Sequence, residues 1–384
     1  MTKLPFAIGW ARAAVAVAAA ALAAATLATA HAAARKPVAL GWLQMVDARR
    51  GYALAAGGDT FRLLATSDGA RTWRDVTPGR GAYRATGPIT IDGSTLLFST
   101  RLRGHRFAVE RSDDGGRSWR RSRPFGDPRG APAPGAPIMI DSRHLYLAVN
   151  EGAAAGSSGE ALFASSDGGR TWAFVSGTQI GSARAGTLPF GCDKDGFGFA
   201  TPMRGFAGGY CAGGLPFFYR SDDGGRTWRR QLLPVPRQCA CETTPPVFFS
   251  RTAGVLSVYG FDTDGAGTPF VRVLWTRDGG DHWRGGAVPA GRAGRPVVVD
   301  PRTVWLAGQK RGAVRSPFDR LFRTVDGGTH WQVVTLPFDG QNSQLDPVGA
   351  RIAFALDIAS GSHAVRVTRD GGRSWRALEP VLVG

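Results

Sequence analysis

Lysine and glutamate are nearly missing from this chain. Of its 47 basic residues four are lysine (Lys3, Lys36, Lys194 and Lys310), and of its 30 acidic residues five are glutamate (Glu110, Glu151, Glu160, Glu242 and Glu379). Both residues favour helices, so their scarcity beside 43 Arg and 25 Asp argues for turns and strands. Four cysteines in 384 residues exclude a disulfide-built miniprotein, and 43% hydrophobic with 20% charged residues excludes a disordered or collagen-like chain. Beyond the N-terminal segment no apolar run is long enough to cross a membrane. No HExxH, GxSxG, phosphate-binding Gly-Lys-Ser/Thr or dinucleotide motif occurs, so no cofactor is expected. Glycine is what the chain has in excess: 54 residues, twice the usual share of about 7%.

The N-terminus reads as an export signal. Lys3 and Arg12 precede an Ala-rich apolar run, Ala13 to Ala28, followed by the small-x-small sites Ala28-Thr29-Ala30 and Ala30-His31-Ala32. Residues 1–32 are therefore expected to be a signal peptide, and the mature chain, from about Ala33, to be periplasmic or secreted. The rival is an uncleaved anchor, for which this alanine run is short. Cleavage would remove two cations and leave a charge of 17 − 2 = +15.

One eight-residue box occurs seven times: Thr66–Trp73, Ser112–Trp119, Ser165–Trp172, Ser221–Trp228, Thr276–Trp283, Thr324–Trp331 and Thr368–Trp375. Each has Ser or Thr, then Asp two residues later (Asp68, Asp114, Asp167, Asp223, Asp278, Asp326, Asp370). Each closes on Trp (Trp73, Trp119, Trp172, Trp228, Trp283, Trp331, Trp375), at spacings of 44 to 56 residues. An Asp carboxylate can accept N–H groups of its own turn, glycine supplies positive φ, and a hydroxyl can brace the turn. The Trp then leaves on the next strand and can bury its ring between sheets. The seven Asp are thus turn formers, and no catalytic residue is assigned among them.

Short apolar runs precede each box without helical periodicity. In the last unit they fall near Leu345–Val348, Ala350–Leu356 and His363–Thr368, with Trp375–Leu378 after the box. Four strands per unit describe a β-propeller blade. The expectation is an all-β, seven-bladed β-propeller over residues 38–384 with one box per blade, or six or eight blades if a unit is misread. First and last units both look whole, so no strand exchange between the termini is expected.

The pattern Ser/Thr-x-Asp-x-Gly-x-Thr/Ser-Trp resembles the BNR, or Asp-box, repeat over nearly all of the mature chain. It looks like sialidases, sortilin-type receptors, some plant-polysaccharide hydrolases and the exported photosystem II assembly factor family. One box per blade on a single ring is most similar to the last group. A sialidase would carry Arg-Ile-Pro before its first box, three Arg for the substrate carboxylate, a Tyr nucleophile with a Glu partner and an Asp acid/base. Nothing before Asp68 matches that motif; the only Arg-Pro pairs are Arg123-Pro124 and Arg295-Pro296.

The boxes are expected on one face, between third and fourth strands, and binding loops on the other: 150–160, 177–187, 234–246, 260–269 and 309–317. Cys192, Cys211, Cys239 and Cys241 lie there and, in an exported chain, are candidate disulfides. Of three pairings, Cys239–Cys241 is disfavoured, since residues two apart on an extended strand are roughly 7 Å apart. Cross-pairing from blade four into the connection to blade five is favoured. No metal is expected: His does not cluster around these thiols, and Asp193-Lys-Asp195-Gly196 and Asp262-Thr-Asp264-Gly265 lack the Glu of a calcium loop. His282 and His330 fill the Thr slot of their boxes and read as structural.

Arginine is periodic. Arg71, Arg117, Arg170, Arg226 and Arg373 stand two before the Trp; Arg74, Arg120, Arg229, Arg284 and Arg376 stand just after it. The first set is a candidate anion-binding rim for an acidic glycan, lipid head group or protein. Nucleic acid is not expected, since exposed aromatics are not interleaved with the basic residues. The resulting reading is an exported, monomeric, non-catalytic binding or assembly scaffold for a protein or glycan, with possible peripheral membrane contact. The alternative is a glycosidase-type hydrolase or lyase at the loop face.

Overall fold

The computed structural model describes residues 36–384, apart from 58–59, 80–88, 105, 127–132, 155, 179–185, 213–215, 237, 264–266, 314–316, 359–363 and 384. The expected signal peptide and Asp264 lie outside the described residues. Within them the protein is all strand, without a helix, and folds as a β-propeller. Each box joins two antiparallel strands of its unit. Unit three is an example, with Ala133–Met139, Leu145–Ala154, Ser157–Ser165 and Ala173–Gly177 in that order across one sheet. The expected loop at 150–160 is mostly strand, because the Leu145–Ala154 and Ser157–Ser165 hairpin stays paired out to Ala154↔Ser157.

Both faces of these sheets are buried, and the alternation of side chains shows how. Leu145, Leu147 and Val149 pack with Leu97, Phe107 and Val109 of unit two. Tyr146, between them in sequence, packs the other way, on Phe197 and Phe199 of unit four. Successive residues of one strand thus serve two different interfaces.

The boxes are locked by their own hydrogen bonds. In unit four the Ser221 hydroxyl donates to Asp223 Oδ1 at 2.8 Å and accepts from Gly225 N at 2.8 Å. Asp223 accepts from Thr227 N (2.8 Å) and Thr227 Oγ1 (2.6 Å). Gly224 and Gly225 stand at φ of 73° and 86°, where a Cβ is disfavoured. In units five and six, His282 and His330 take the threonine role, with Nδ1 at 2.8 and 2.7 Å from Asp278 and Asp326. Burial opposes the charge on Asp167, but hydrogen bonds from Thr171 and Ser165 outweigh it and bring the carboxyl down to about 2.

Neighbouring units also reach into each other's boxes. Arg111 Nη1 and Arg120 Nη2 of unit two donate to Gly168 O at 3.2 and 2.9 Å. Tyr146 of unit three donates to Pro202 O and Gly224 O at 2.6 and 3.2 Å. Trp73, Trp228 and Trp283 are buried, while Trp119, Trp172, Trp331 and Trp375 are partly exposed at their unit edges.

The termini do meet, which corrects the expectation of a ring without exchange. Val381–Leu382 runs parallel to Thr72–Trp73 of unit one and antiparallel to Lys36–Pro37. The last unit ends one strand earlier, at Arg376–Leu378, so the remaining tail is free to extend the first sheet. Side chains complete the closure. Gln344 of unit seven accepts from Leu43 N at 3.2 Å and donates to Leu43 O at 2.5 Å, and Asp346 accepts from Met45 N at 2.6 Å.

Burial pushes Asp346 up to about 7, although the Met45 N–H favours its charged form. An unfolded carboxyl loses its proton near pH ~3.9. Between those values the folded chain holds a proton the unfolded chain has released, so stability falls as pH rises through this window. Unfolding midpoints taken at about pH 4, 6 and 8 should therefore decline in the parent chain and decline less steeply in Asp346→Asn, where the other raised carboxyl groups remain. Parallel declines in both chains would contradict this assignment.

Candidate binding site

On the face opposite the boxes, units four and five fuse. The strand Gly205–Ala212 runs past its own neighbour Phe218–Ser221, and its end pairs with Cys239–Thr243 of unit five (Tyr210↔Glu242, Cys211↔Cys241, Ala212↔Ala240). The result is one nine-stranded sheet. A Cβ at Gly260, which stands at φ of 153°, would run into Ala240 O, so glycine is needed for the close approach here.

Both disulfides sit at this fusion, and their pairing corrects the expected one. Cys192 bonds Cys211 within unit four, and Cys239 bonds Cys241. The strand is contracted at Ala240, so the Cα atoms of Cys239 and Cys241 are 5.1 Å apart instead of the extended distance. Residues two apart also share a strand face, and the thiols therefore already point the same way. The junction of the two units is made by backbone pairing, not by a cross-linking disulfide.

Lys194, one of the four lysines, anchors the approach to this region. Its Nζ lies 2.7, 2.7, 3.1 and 2.8 Å from the carbonyl oxygens of Ser158, Phe190, Gly191 and Cys192. Burial pulls its pKa down to about 8, with Glu160 opposing. Burial likewise raises Glu160 to about 7, against a hydrogen bond from Asn150 and the Lys194 charge. Lys194→Met leaves these carbonyls without their donor and should cost about 2 kcal/mol in urea unfolding. Lys194→Arg should not rescue it, since a planar guanidinium cannot gather several converging carbonyls as an ammonium does. Equal stability of Lys194→Met and the parent would refute the clamp.

Beside the fusion lies a groove of about 280 Å³ walled by Tyr210, Tyr259, Phe270 and Phe318, with Glu242 and Arg292 as its charged members. Tyr210 and Phe261, 37% and 39% exposed, both face this groove. Glu242 stands between Tyr210 and Tyr259 in register and accepts a hydrogen bond from the Tyr259 hydroxyl. Burial first, then that bond and the Glu242 charge, push the Tyr259 pKa far up. Arg295 Nη2 lies 2.7 Å from Asp195 Oδ2, joining unit four to the entry of unit six. Burial and the Glu242 charge raise Asp195, and Arg295 opposes them. The expected binding loops 234–246 and 260–269 supply Glu242 and Phe261 to this groove, while Tyr210, Asp195 and Arg295 fall outside the expected loops. Glu242 follows Cys241 directly, and Asp195 lies in the Asp193-Lys-Asp195-Gly196 turn, but nothing local says that the two converge.

The five arginines of the candidate anion-binding rim stand at their boxes. Arg71, Arg170, Arg226 and Arg373 are exposed, yet each lies back on its own turn, Nη1 donating to the carbonyl of Asp68, Asp167, Asp223 or Asp370 at 2.7 to 3.4 Å. Arg117 is exposed in the matching position.

Fold and boxes together define an Asp-box β-propeller. The family model described as BNR/Asp-box repeat matches residues 219–230, the box of unit four. Among solved structures the chain is similar to a GH74 xyloglucanase from Xanthomonas campestris (19% identity, TM-score 0.52, covering 91% of this chain and 54% of that one). It is also similar to an uncharacterized protein of Listeria monocytogenes EGD-e (8% identity, TM-score 0.53, 90% and 94%). A structure of YCF48 bound to a D1 peptide aligns at 16% identity and TM-score 0.47, covering 89% and 92%. The chain spans about half the length of the xyloglucanase. The likenesses to the xyloglucanase and the Listeria protein show the fold alone. No curated protein matches the chain.

Proposed function

We propose that this chain is an exported, non-catalytic binding or assembly scaffold. On this reading it is a monomeric, seven-bladed ring, working in the periplasm or outside the cell, that docks a protein or glycan at the face opposite its boxes. The observation carrying this is that the groove's one carboxylate is tied down, and so is the carboxylate nearest to it. Glu242 is bonded to Tyr259 and Asp195 to Arg295, while the surrounding wall is aromatic. Such a wall gains from burying an apolar ligand, and its paired charges supply orientation. Arg292 on the rim favours a ligand that is acidic as well as apolar.

The second reading, a glycosidase-type hydrolase, has one observation in its favour: a Tyr and Glu in contact, with an Asp and an Arg beside them. A displayed peptide library and a glycan array, run beside fluorogenic glycosides, separate the two. The scaffold reading expects apolar-acidic ligands whose affinity drops about tenfold or more in Tyr210→Ser/Phe261→Ser, as loss of a hot-spot aromatic does, and no turnover. Glycoside turnover that vanishes in Glu242→Gln would replace it with the hydrolase.

A further inference from the structure

The box face carries a second opening, where two boxes break the arginine pattern. In boxes five and six the slot filled elsewhere by Arg71, Arg117, Arg170, Arg226 and Arg373 holds Asp281 and Thr329. Among the described residues no arginine of its own unit lies back over either turn, and over the first of them Arg204 of unit four reaches in, its Nη1 3.3 Å from Asp278 O. Asp281 is drawn away instead, to Arg220 Nη1 at 2.5 Å and Arg204 Nη1 at 3.1 Å in unit four. The space left between units five and six is a cleft of about 770 Å³, lined by Trp275, Arg277, His282, Arg284, Arg302 and Thr329 among others. That is within the range of roughly 300–1,000 Å³ typical of ligand sites.

The charges in this cleft are unevenly committed. Asp278 and Asp326 turn their oxygens into their own boxes, toward Thr276 and His282, and toward Thr324 and His330. Arg277, Arg284 and Arg302 are exposed, and among the described residues none of their guanidinium groups forms an ion pair. Elsewhere on this face some cations are engaged, Arg111 and Arg120 with Gly168 O and Arg220 with Asp222 and Asp281, while others, such as Arg351, Arg369 and Arg376, form no ion pair among the described residues; what sets Arg277, Arg284 and Arg302 apart is that all three line one cavity. Three unengaged guanidinium groups therefore face one cavity.

We propose that this cleft binds an anionic polysaccharide through its sulfate or carboxylate groups. Guanidinium forks suit these oxyanions. The charges are spread over two units along an open cleft, matching acid groups spaced by sugar rings. The partly exposed Trp275 ring offers the apolar surface on which a sugar face can rest. This face is opposite the aromatic groove, so failure here leaves the reading of that groove untouched.

The test measures binding of a size-defined heparin fragment to the full mature chain in about 0.15 M salt. Arg277→Gln/Arg284→Gln/Arg302→Gln is compared with Arg71→Gln/Arg117→Gln/Arg373→Gln, which removes the same charge from the same face. The proposal expects affinity to fall about tenfold or more in the first and less than about twofold in the second. Equal losses in both, or no binding by the parent chain, would overturn it. Inorganic polyphosphate binding as tightly, with the same dependence on these variants, would overturn the saccharide assignment. Single Arg284→Gln and Arg302→Gln chains carry the comparison should the triple variant not fold.

Discussion

Replacing Trp73 with alanine is expected to lower the unfolding free energy by about 3–5 kcal/mol, the largest effect of any single box residue. Its ring is fully buried and packs with Leu40, Leu43, Phe354, Leu356 and Leu378. Those neighbours come from units one and seven, so the ring fills the seam where the propeller closes. Truncation would lose the transfer free energy of an indole and leave a cavity that rigid sheets on both sides cannot collapse. The Nε1–H bond to Ala70 O, at 3.2 Å, would go as well. Trp331, partly exposed at the edge of its unit, is the control and should lose less. Urea unfolding followed by circular dichroism reads both. Equal costs for Trp73→Ala and Trp331→Ala would mean that burial at the seam has no special weight.

Removing residues 379–384 is the second large effect expected, at about 3–4 kcal/mol. Besides its ladder pairing, the tail makes main-chain hydrogen bonds that nothing else replaces, among them Val381 N to Arg71 O at 3.0 Å, Val383 N to Trp73 O at 2.8 Å and Val38 N to Pro380 O at 3.1 Å. Each contributes about 1 kcal/mol, and the partly buried Leu382 against the same seam adds to them. The truncation also bares the edge of unit one at Thr72–Asp75, and an unpaired strand edge invites association. The truncated chain should therefore both unfold earlier and elute earlier in size exclusion. An unchanged midpoint would show that the seam closes through Gln344, Asp346 and the apolar cluster alone.

What could be read from the residues was what local chemistry decides. The box is such a case, since Asp223, Ser221, Thr227 and two glycines settle their geometry within eight residues. The strand before each box followed from its apolar run, and His282 and His330 could be placed because imidazole Nδ1 reaches where a threonine hydroxyl does. Contacts between distant segments were not legible. The parallel pairing of Leu382 with Trp73 joins the two ends of the chain, and no local signal announces it. The Cys239–Cys241 bond depends on a contraction at Ala240 that spacing on an ideal strand denies. The groove was hidden for the same reason: Glu242, Tyr259, Asp195 and Arg295 come from three units and meet only because two sheets merge. The arginine slot was legible as a period and not as a geometry. Its period was real, but a side chain long enough to reach solvent is also long enough to return to its own turn.

The merged sheet has a dynamic consequence. A propeller blade ordinarily exchanges its amide protons as its own cooperative opening unit, because backbone hydrogen bonds stop at its edges. Here the ladder runs unbroken from Arg229–Arg230 through Gly205–Ala212 and Cys239–Thr243 to Arg284–Ala287. Amides on the two sides of this ladder should therefore acquire deuterium together, as one double-sized block, and more slowly than those of unit seven, whose sheet stands alone. The groove sits on that block, so if the block exchanges last, a ligand docking there meets a wall already fixed in shape and need not spend binding energy on ordering it.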